Sequence, residues 1–178
     1  MSEESIIEGI RNGDRTAMRT LYDMLSGNAL ATAMRYMGNH ADAEDVTHDS
    51  FVKVFTQIHR YTYRGSGSLK AWVMRIVANE SVNYLRRNSK LVFIDQIPDD
   101  TEENPPDLTP IPPGILTKMI STLPAGYRTV LNLFVFEQKS HKEIASLLGI
   151  KENTSASQYL RAKKMLARMI KEYTRSHE

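Results

Sequence analysis

SHKEIASLLGIKENTSASQYLRAKKML, residues 140–166, is the stretch whose reading decides the fold. Ser140 followed three residues on by Glu143 is the pattern of a capping box, in which a hydroxyl and a carboxylate each satisfy an orphan amide at a helix start. The helix it opens, Ile144 to Leu148, is short and stops at Gly149. After the turn a longer helix is predicted from about Asn153 to Tyr173. Ala145 is small where two helices approach, and Leu148 and Ile150 fill the space beneath the turn. On the second helix Tyr159, Ala162, Leu166, Met169 and Ile170 recur at helical spacing and are expected inward. That leaves Ser155, Ser157, Gln158, Arg161 and Lys164 outward, with Lys142 and Thr154 beside them: hydrogen-bonding and cationic types suited to base edges and phosphates. Short capped helix, glycine turn, longer basic helix is the layout of a helix-turn-helix.

Charge agrees with that reading. Residues 118–178 carry 11 Lys/Arg against five Asp/Glu, residues 91–117 carry six acids and no base, and residues 1–90 are nearly balanced at 12 to 10. A basic module of this size is an electrostatic footprint for nucleic acid, although a merely solvated lysine-rich surface would look the same by charge alone. Six of the seven prolines fall between Pro98 and Pro113. Proline removes amide donors and restricts the residue before it, so this acidic segment reads as an extended linker. The expected organisation is an N-terminal domain at 1–92, a linker at 93–113 and a C-terminal domain at 114–178.

The N-terminal half is helical by period. Ile6, Ile7 and Ile10 mark a short helix ended near Asn12-Gly13. Ala17, Met18, Leu21, Tyr22 and Leu25 mark a second, expected to break at Ser26-Gly27. Leu30, Ala33, Met34 and Met37 mark a third, closed by Gly38-Asn39. Val46, Phe51, Val54, Phe55 and Ile58 give a stripe on a helix with an acid-rich first turn, which suits the positive end of the helix dipole. Beyond Gly65-Ser66-Gly67, Leu69, Trp72, Val73, Ile76, Val77, Val82 and Leu85 define a long helix to about Asn88. In the C-terminal half Pro124 suits a first helical turn, with Val130, Leu131, Phe134 and Val135 as its apolar face. The fold class is therefore all-α: a helical bundle and a helix-turn-helix domain joined by a Pro-rich acidic linker.

Two further patterns suggest DNA. His59 to Gly67 with Lys70 to Trp72 interleaves aromatics and cations, which suits unpaired strands because rings stack on bases while cations follow phosphates. Tyr61, Tyr63, Arg64 and Lys70 are the candidates; Trp72 lies at helical spacing with Leu69 and Ile76 and is expected in the core. Asn79, Asn83, Arg86 and Arg87 fall three or four apart and share a face, pairing amides that can read a base edge with guanidinium groups that can hold phosphate. Arg86 and Arg87 are also what a helix C-terminus favours on its own.

At this point the sequence resembles a known family. LPAGYRTVLNLFVFEQKSHKEIASLLGIKENTSASQYLRAKKML (123–166) is similar to the promoter-binding region four of bacterial sigma factors of the extracytoplasmic-function group. DAEDVTHDSFVKVF (42–55) resembles that group's region 2.2, and SLKAWVMRIVANESVNYLRR (68–87) its regions 2.3 and 2.4. The resemblance implies a factor that carries core RNA polymerase to promoters. It implies that Asp42, Asp45, His48, Asp49 and Phe51 dock on the clamp helices of the polymerase largest subunit, a role that the residues alone do not suggest. It implies that the 59–72 segment takes up a base flipped from the non-template strand and that the 79–87 face reads the minus-ten element. Region four would grip the minus-thirty-five element and the flap of the second-largest subunit. An anti-sigma partner and a cytoplasmic location are likewise implied. Ala156 stands where many members carry lysine, and Lys151 where they often carry a capping serine; the second departure is expected to move the helix cap to Asn153.

The competing reading is a dimeric helix-turn-helix repressor or activator acting without polymerase. The long Pro-rich linker and a second DNA-suited surface at 59–87 argue against it. Catalysis has little support: the five histidines form no ligand spacing, no glycine-rich phosphate loop follows a strand, and the absence of cysteine removes thiol chemistry and the common zinc sites. No cofactor or metal is expected. No apolar run approaches the roughly 20 residues of a membrane span, and the acidic start is unlike a signal peptide. The linker acids Asp99, Asp100, Glu102 and Glu103 would repel DNA and suit a basic polymerase channel.

Overall fold

The computed structural model describes residues 1–93 and 111–177, and the described residues are helical with no strand. The linker's acidic residues 94–110, and with them the expectation about the polymerase channel, lie outside the described residues. The chain divides into two compact units, Met1–Tyr84 and a second from Leu85 onward. Among the described residues no helix is long and apolar enough to cross a membrane.

In the first unit α1 (Glu3–Arg11) is capped by the Ser2 hydroxyl, which accepts the Ser5 amide at 3.2 Å, and carries Glu3 and Glu4 against the dipole's positive end. Its Ile6, Ile7 and Ile10 are buried, roughly 1.5–3 kcal/mol each. Gly9 lets α1 approach its neighbour: a Cβ there would come within 2.7 Å of the Ala17 Cβ. α2 (Arg15–Met37) begins at Asp14, whose carboxylate accepts the Thr16 amide at 2.8 Å, and ends on left-handed Gly38. The expected break at Ser26-Gly27 is absent, and one helix runs through it. Leu21, Leu25, Ala29, Thr32 and Tyr36 are buried along a single face, so the burial on both sides outweighs the roughly 1 kcal/mol a mid-helix glycine costs. α3 (His40–Gln57) starts at Asn39, which accepts the Asp42 amide at 2.9 Å, and passes into a 3-10 turn at Ile58–Arg60. α4 (Ser68–Arg87) buries Leu69, Val73, Ile76, Val77 and Val82.

The second unit holds a helix that sequence reading did not anticipate, α5 (Pro113–Thr122), with proline in its first turn. The run of prolines read as linker; Leu116 and Ile120 instead pack on the core of Leu123, Leu131 and Ala162. α6 (Ala125–Val135) follows, with Pro124 at the N-cap rather than inside the helix. Its buried face includes Val130, Leu131 and Leu133, whereas Val135, expected inward, is 46% exposed. α7 (His141–Leu148) has the capping box in full and closes on left-handed Gly149 at φ 67°. α8 (Glu152–Ser176) takes Lys151 as its N-cap with no side-chain hydrogen bond, so the cap does not move to Asn153, which lies in the first turn. Arg128 is buried on α6 and donates to the Ser121 and Leu123 carbonyls at 3.0 and 2.9 Å, closing the end of α5. Burial lowers its pKa from the ordinary value.

Candidate nucleic-acid interface

In the first unit, α3 presents Asp45, His48 and Asp49 to solvent at helical spacing, with 53%-exposed Val52 one turn further on. Asp42 is half-buried: it accepts the Tyr84 hydroxyl at 2.7 Å and the Asn39 amide at 2.8 Å, tying α3 to α4. Phe51 does not belong to this surface. It is 2% exposed, and its ring lies 4.7 Å from that of Tyr22, because its position on α3 points it into the bundle with Val54.

The segment from the 3-10 turn to the start of α4 forms an open cavity of about 350 Å³ lined by Arg60, Tyr61, Thr62, Arg64, Ser68, Ala71, Trp72 and Arg75. Its parts differ from expectation in two ways. Tyr61 is 7% exposed, its hydroxyl 2.7 Å from the Ser68 Oγ and its ring 4.7 Å from Trp72, so it is wall rather than free stacking surface. Trp72, expected in the core, is only half-buried and lines the cavity, since Val73 and Ile76 already fill the bundle beneath it. Arg64 and Lys70 are exposed and Tyr63 is half-buried. Desolvation raises the Tyr63 pKa, with Glu3, Glu4 and Tyr61 adding to it.

Arg75 and Arg60 were missed as site residues. The signal for Arg75 was available: it falls three residues after Trp72 and four before Asn79, on their face of α4. Further along that helix Asn79, Arg86 and Arg87 are exposed. Asn83 is half-buried and its amide donates to Glu80 at 3.3 Å; Glu80 pairs with Lys53 of α3 at 2.5 Å, so Asn83 belongs to a helix-joining network. The cavity thus combines an aromatic wall with three guanidinium groups, chemistry that stacks a base and neutralises phosphate.

In the second unit three expected contact residues are buried. Thr154, Ser155 and Gln158 are 6%, 0% and 0% exposed. Ser155 Oγ lies 2.9 Å from His141 Nδ1, joining the starts of α7 and α8, and a Cβ on Gly126 of α6 would stand 3.1 Å from the Gln158 side-chain oxygen. Ser155 thus ties two helices together, and all three side chains are turned away from solvent. His141 also stacks on Phe134 with ring centroids 4.5 Å apart. The solvent-facing stripe of α8 is instead Asn153, Ala156, Leu160 and Lys163, with Ser157 and Lys164 at its half-buried edge and Lys142 exposed on α7. Arg161 is half-buried and its guanidinium donates to the Tyr127 hydroxyl at 3.2 Å. Beside this stripe, and sharing Lys163 with it, Leu116, Ile120, Val135, Phe136, Tyr159 and Leu166 line an apolar groove of about 240 Å³.

Two family models match the chain: Sigma-70 region 2 over residues 21–91 and Sigma-70 region 4 over 114–166, together more than two thirds of it. Among curated proteins it is similar to the ECF RNA polymerase sigma factor SigE of Mycolicibacterium smegmatis, 28% identical over 86% of this chain and 63% of that protein's length. It is also similar to the ECF RNA polymerase sigma-E factor of Haemophilus influenzae, 24% identical over 96% of both chains. Among solved structures, the sigma factor RpoE of Bartonella quintana, crystallised with the anti-sigma factor NepR, matches with a TM-score of 0.50 and 22% identity over 86% of this chain and 96% of that one, a likeness of fold.

Proposed function

The chain belongs to the sigma-70 family of RNA polymerase sigma factors, in its extracytoplasmic-function group, and on that premise we propose that it is a dissociable specificity subunit that brings core polymerase to promoters and opens them. The observation that carries the reading is the cavity of Arg60, Tyr61, Arg64, Trp72 and Arg75, which sits in the part of the chain that matches region 2. Its aromatic wall takes an unpaired base of the non-template minus-ten strand while the arginines hold the adjoining phosphates. The exposed Asp45–His48–Asp49 face of α3 docks on the clamp helices of the polymerase largest subunit, with Asp42 holding that face to α4.

The second unit anchors the complex upstream. Its α8 stripe enters the major groove of the minus-thirty-five duplex, with Lys142, Lys163 and Lys164 on phosphates. The apolar groove with exposed Val135 and Phe136 receives the flap of the second-largest polymerase subunit. Residues 1–92 and 114–178 act as the two binding domains, joined by the linker at 93–113. The protein is cytoplasmic and contributes promoter choice, while the polymerase supplies the chemistry. An anti-sigma factor is its regulatory partner, in keeping with the complex that the Bartonella protein forms with the anti-sigma factor NepR. A dimeric repressor is not favoured, since it would have no use for a base-sized aromatic cavity. In-vitro transcription with core polymerase tests the proposal: the purified chain is expected to start transcripts from a subset of genomic promoters. Tight duplex binding by the chain alone, with no transcripts in the presence of core enzyme, would sink it.

A further inference from the structure

The cavity's outer wall, residues 58–67, is held at both ends by α1, a helix that lies before the residues matching region 2. At the near end Arg11 donates to two carbonyls, from Nε to Ile58 at 3.4 Å and from the guanidinium terminus to Tyr61 at 2.5 Å. At the far end both oxygens of the Glu3 carboxylate accept the Gly67 amide at 3.2 Å. Between the anchors lie Arg60, Tyr61, Thr62 and Arg64, which form one side of the cavity; Ser68, Ala71, Trp72 and Arg75 on α4 form the other. Gly65 and Gly67 have φ of +104° and +82°, a backbone that favours glycine, and Ser68 braces the loop from within, its hydroxyl donating to the Gly65 carbonyl at 2.6 Å and accepting the Arg64 amide at 3.2 Å. Glu3 and Arg11 stand eight residues apart on one helix, about 12 Å along its axis. The buried Ile6, Ile7 and Ile10 fix that helix in the bundle, so the spacing of the two anchors is set by a rigid element.

We infer that α1 is a positioning element for promoter opening, with Arg11 and Glu3 together setting the aperture of the base cavity. This rests on the cavity taking an unpaired base. Neither side chain needs to touch DNA. Arg11 holds the turn so that Tyr61 stays packed on Trp72 as the cavity's wall, with Arg60 beside it at the lining, and Glu3 holds the glycine end of the loop.

The test uses holoenzyme and a pool of fork-junction DNAs whose unpaired non-template minus-ten strand is randomised. Wild-type holoenzyme is used to select a bound pool, and affinities for the selected and unselected pools are then compared for wild type and Arg11→Met, which keeps the stem and removes the donors. Wild type is expected to prefer the selected pool by about tenfold, the scale of a stacked base, and Arg11→Met to lose most of that preference. A role in folding alone would lower both affinities together and leave their ratio intact, so a folded Arg11→Met that keeps the wild-type ratio overturns the inference. Should Arg11→Met not fold, Glu3→Met at the loop's other end, which removes both acceptors of the Gly67 amide, decides it by the same ratio: reduced preference supports the latch, and full preference overturns it. If wild type itself selects nothing from the pool, the cavity reading fails and the inference falls with it.

Discussion

Ser140 and Glu143 show what a single pair of residues decides. The Glu143 amide donates to the Ser140 hydroxyl at 3.1 Å, and the Ser140 amide to the Glu143 carboxylate at 2.7 Å. The Ser140 amide first, then the Ser140 side chain, hold the Glu143 carboxyl below its ordinary 4.5; desolvation opposes them, and Lys139 adds a smaller push downward. A carboxylate with a depressed folded pKa stabilises the fold fully above its unfolded pKa and loses that contribution as pH falls through the folded one. The stability difference between the native protein and Glu143→Gln, followed by urea denaturation, is therefore expected to be constant near neutrality and to shrink as pH drops below 4.5. Ser140→Ala should cost about 1 kcal/mol at neutral pH in the same assay. The capping box was legible because its two residues act within one turn. Ser155, Gln158 and Tyr61 were not, because a small polar or phenolic side chain serves equally well on a wet face or as a satisfied buried partner. Only the neighbours, His141 for Ser155 and Ser68 for Tyr61, decide which.

At the scale of elements, helix against loop was readable wherever apolar spacing ran between strong stops, as in α1, α3, α4 and α7. The two departures have opposite causes. Gly27 punctuates the sequence but stays helical, because the buried face of α2 continues through it. It is exposed, and a Cβ there would meet nothing within 4 Å. Gly27→Ala is thus expected to raise stability by roughly 0.5–1 kcal/mol, read as a higher denaturation midpoint with unchanged slope; a loss of stability would mean that the helix needs the glycine. α5 went unseen because Pro112-Pro113-Gly114 looks like the end of a linker. Proline in a first helical turn costs nothing, and the packing of Leu116 and Ile120 against α8 pays for the rest.

For the whole molecule, the division into two units predicts that their binding functions separate. Lys142→Ala should weaken the holoenzyme's grip on a minus-thirty-five duplex and reduce the salt dependence of that binding by about one unit of slope, with affinity for core polymerase unchanged; an equal loss of core affinity would refute the separation. The sequence by itself determined the all-helical class, the linker between two modules and the helix-turn-helix, because helical period, proline and capping chemistry act over a few neighbouring residues. It also singled out the 59–72 segment, in which most of the cavity's lining lies, as a candidate for DNA contact. What only the tertiary structure decided is which side chains face outward: Arg75 and Trp72 into the cavity, Tyr61 into its wall, Gln158 and Phe51 away from solvent. The latch from α1 belongs to the same class, since Arg11 reaches carbonyls 47 and 50 residues away. Facing is set by which elements pack together, and a contact across that much chain leaves no mark in local spacing.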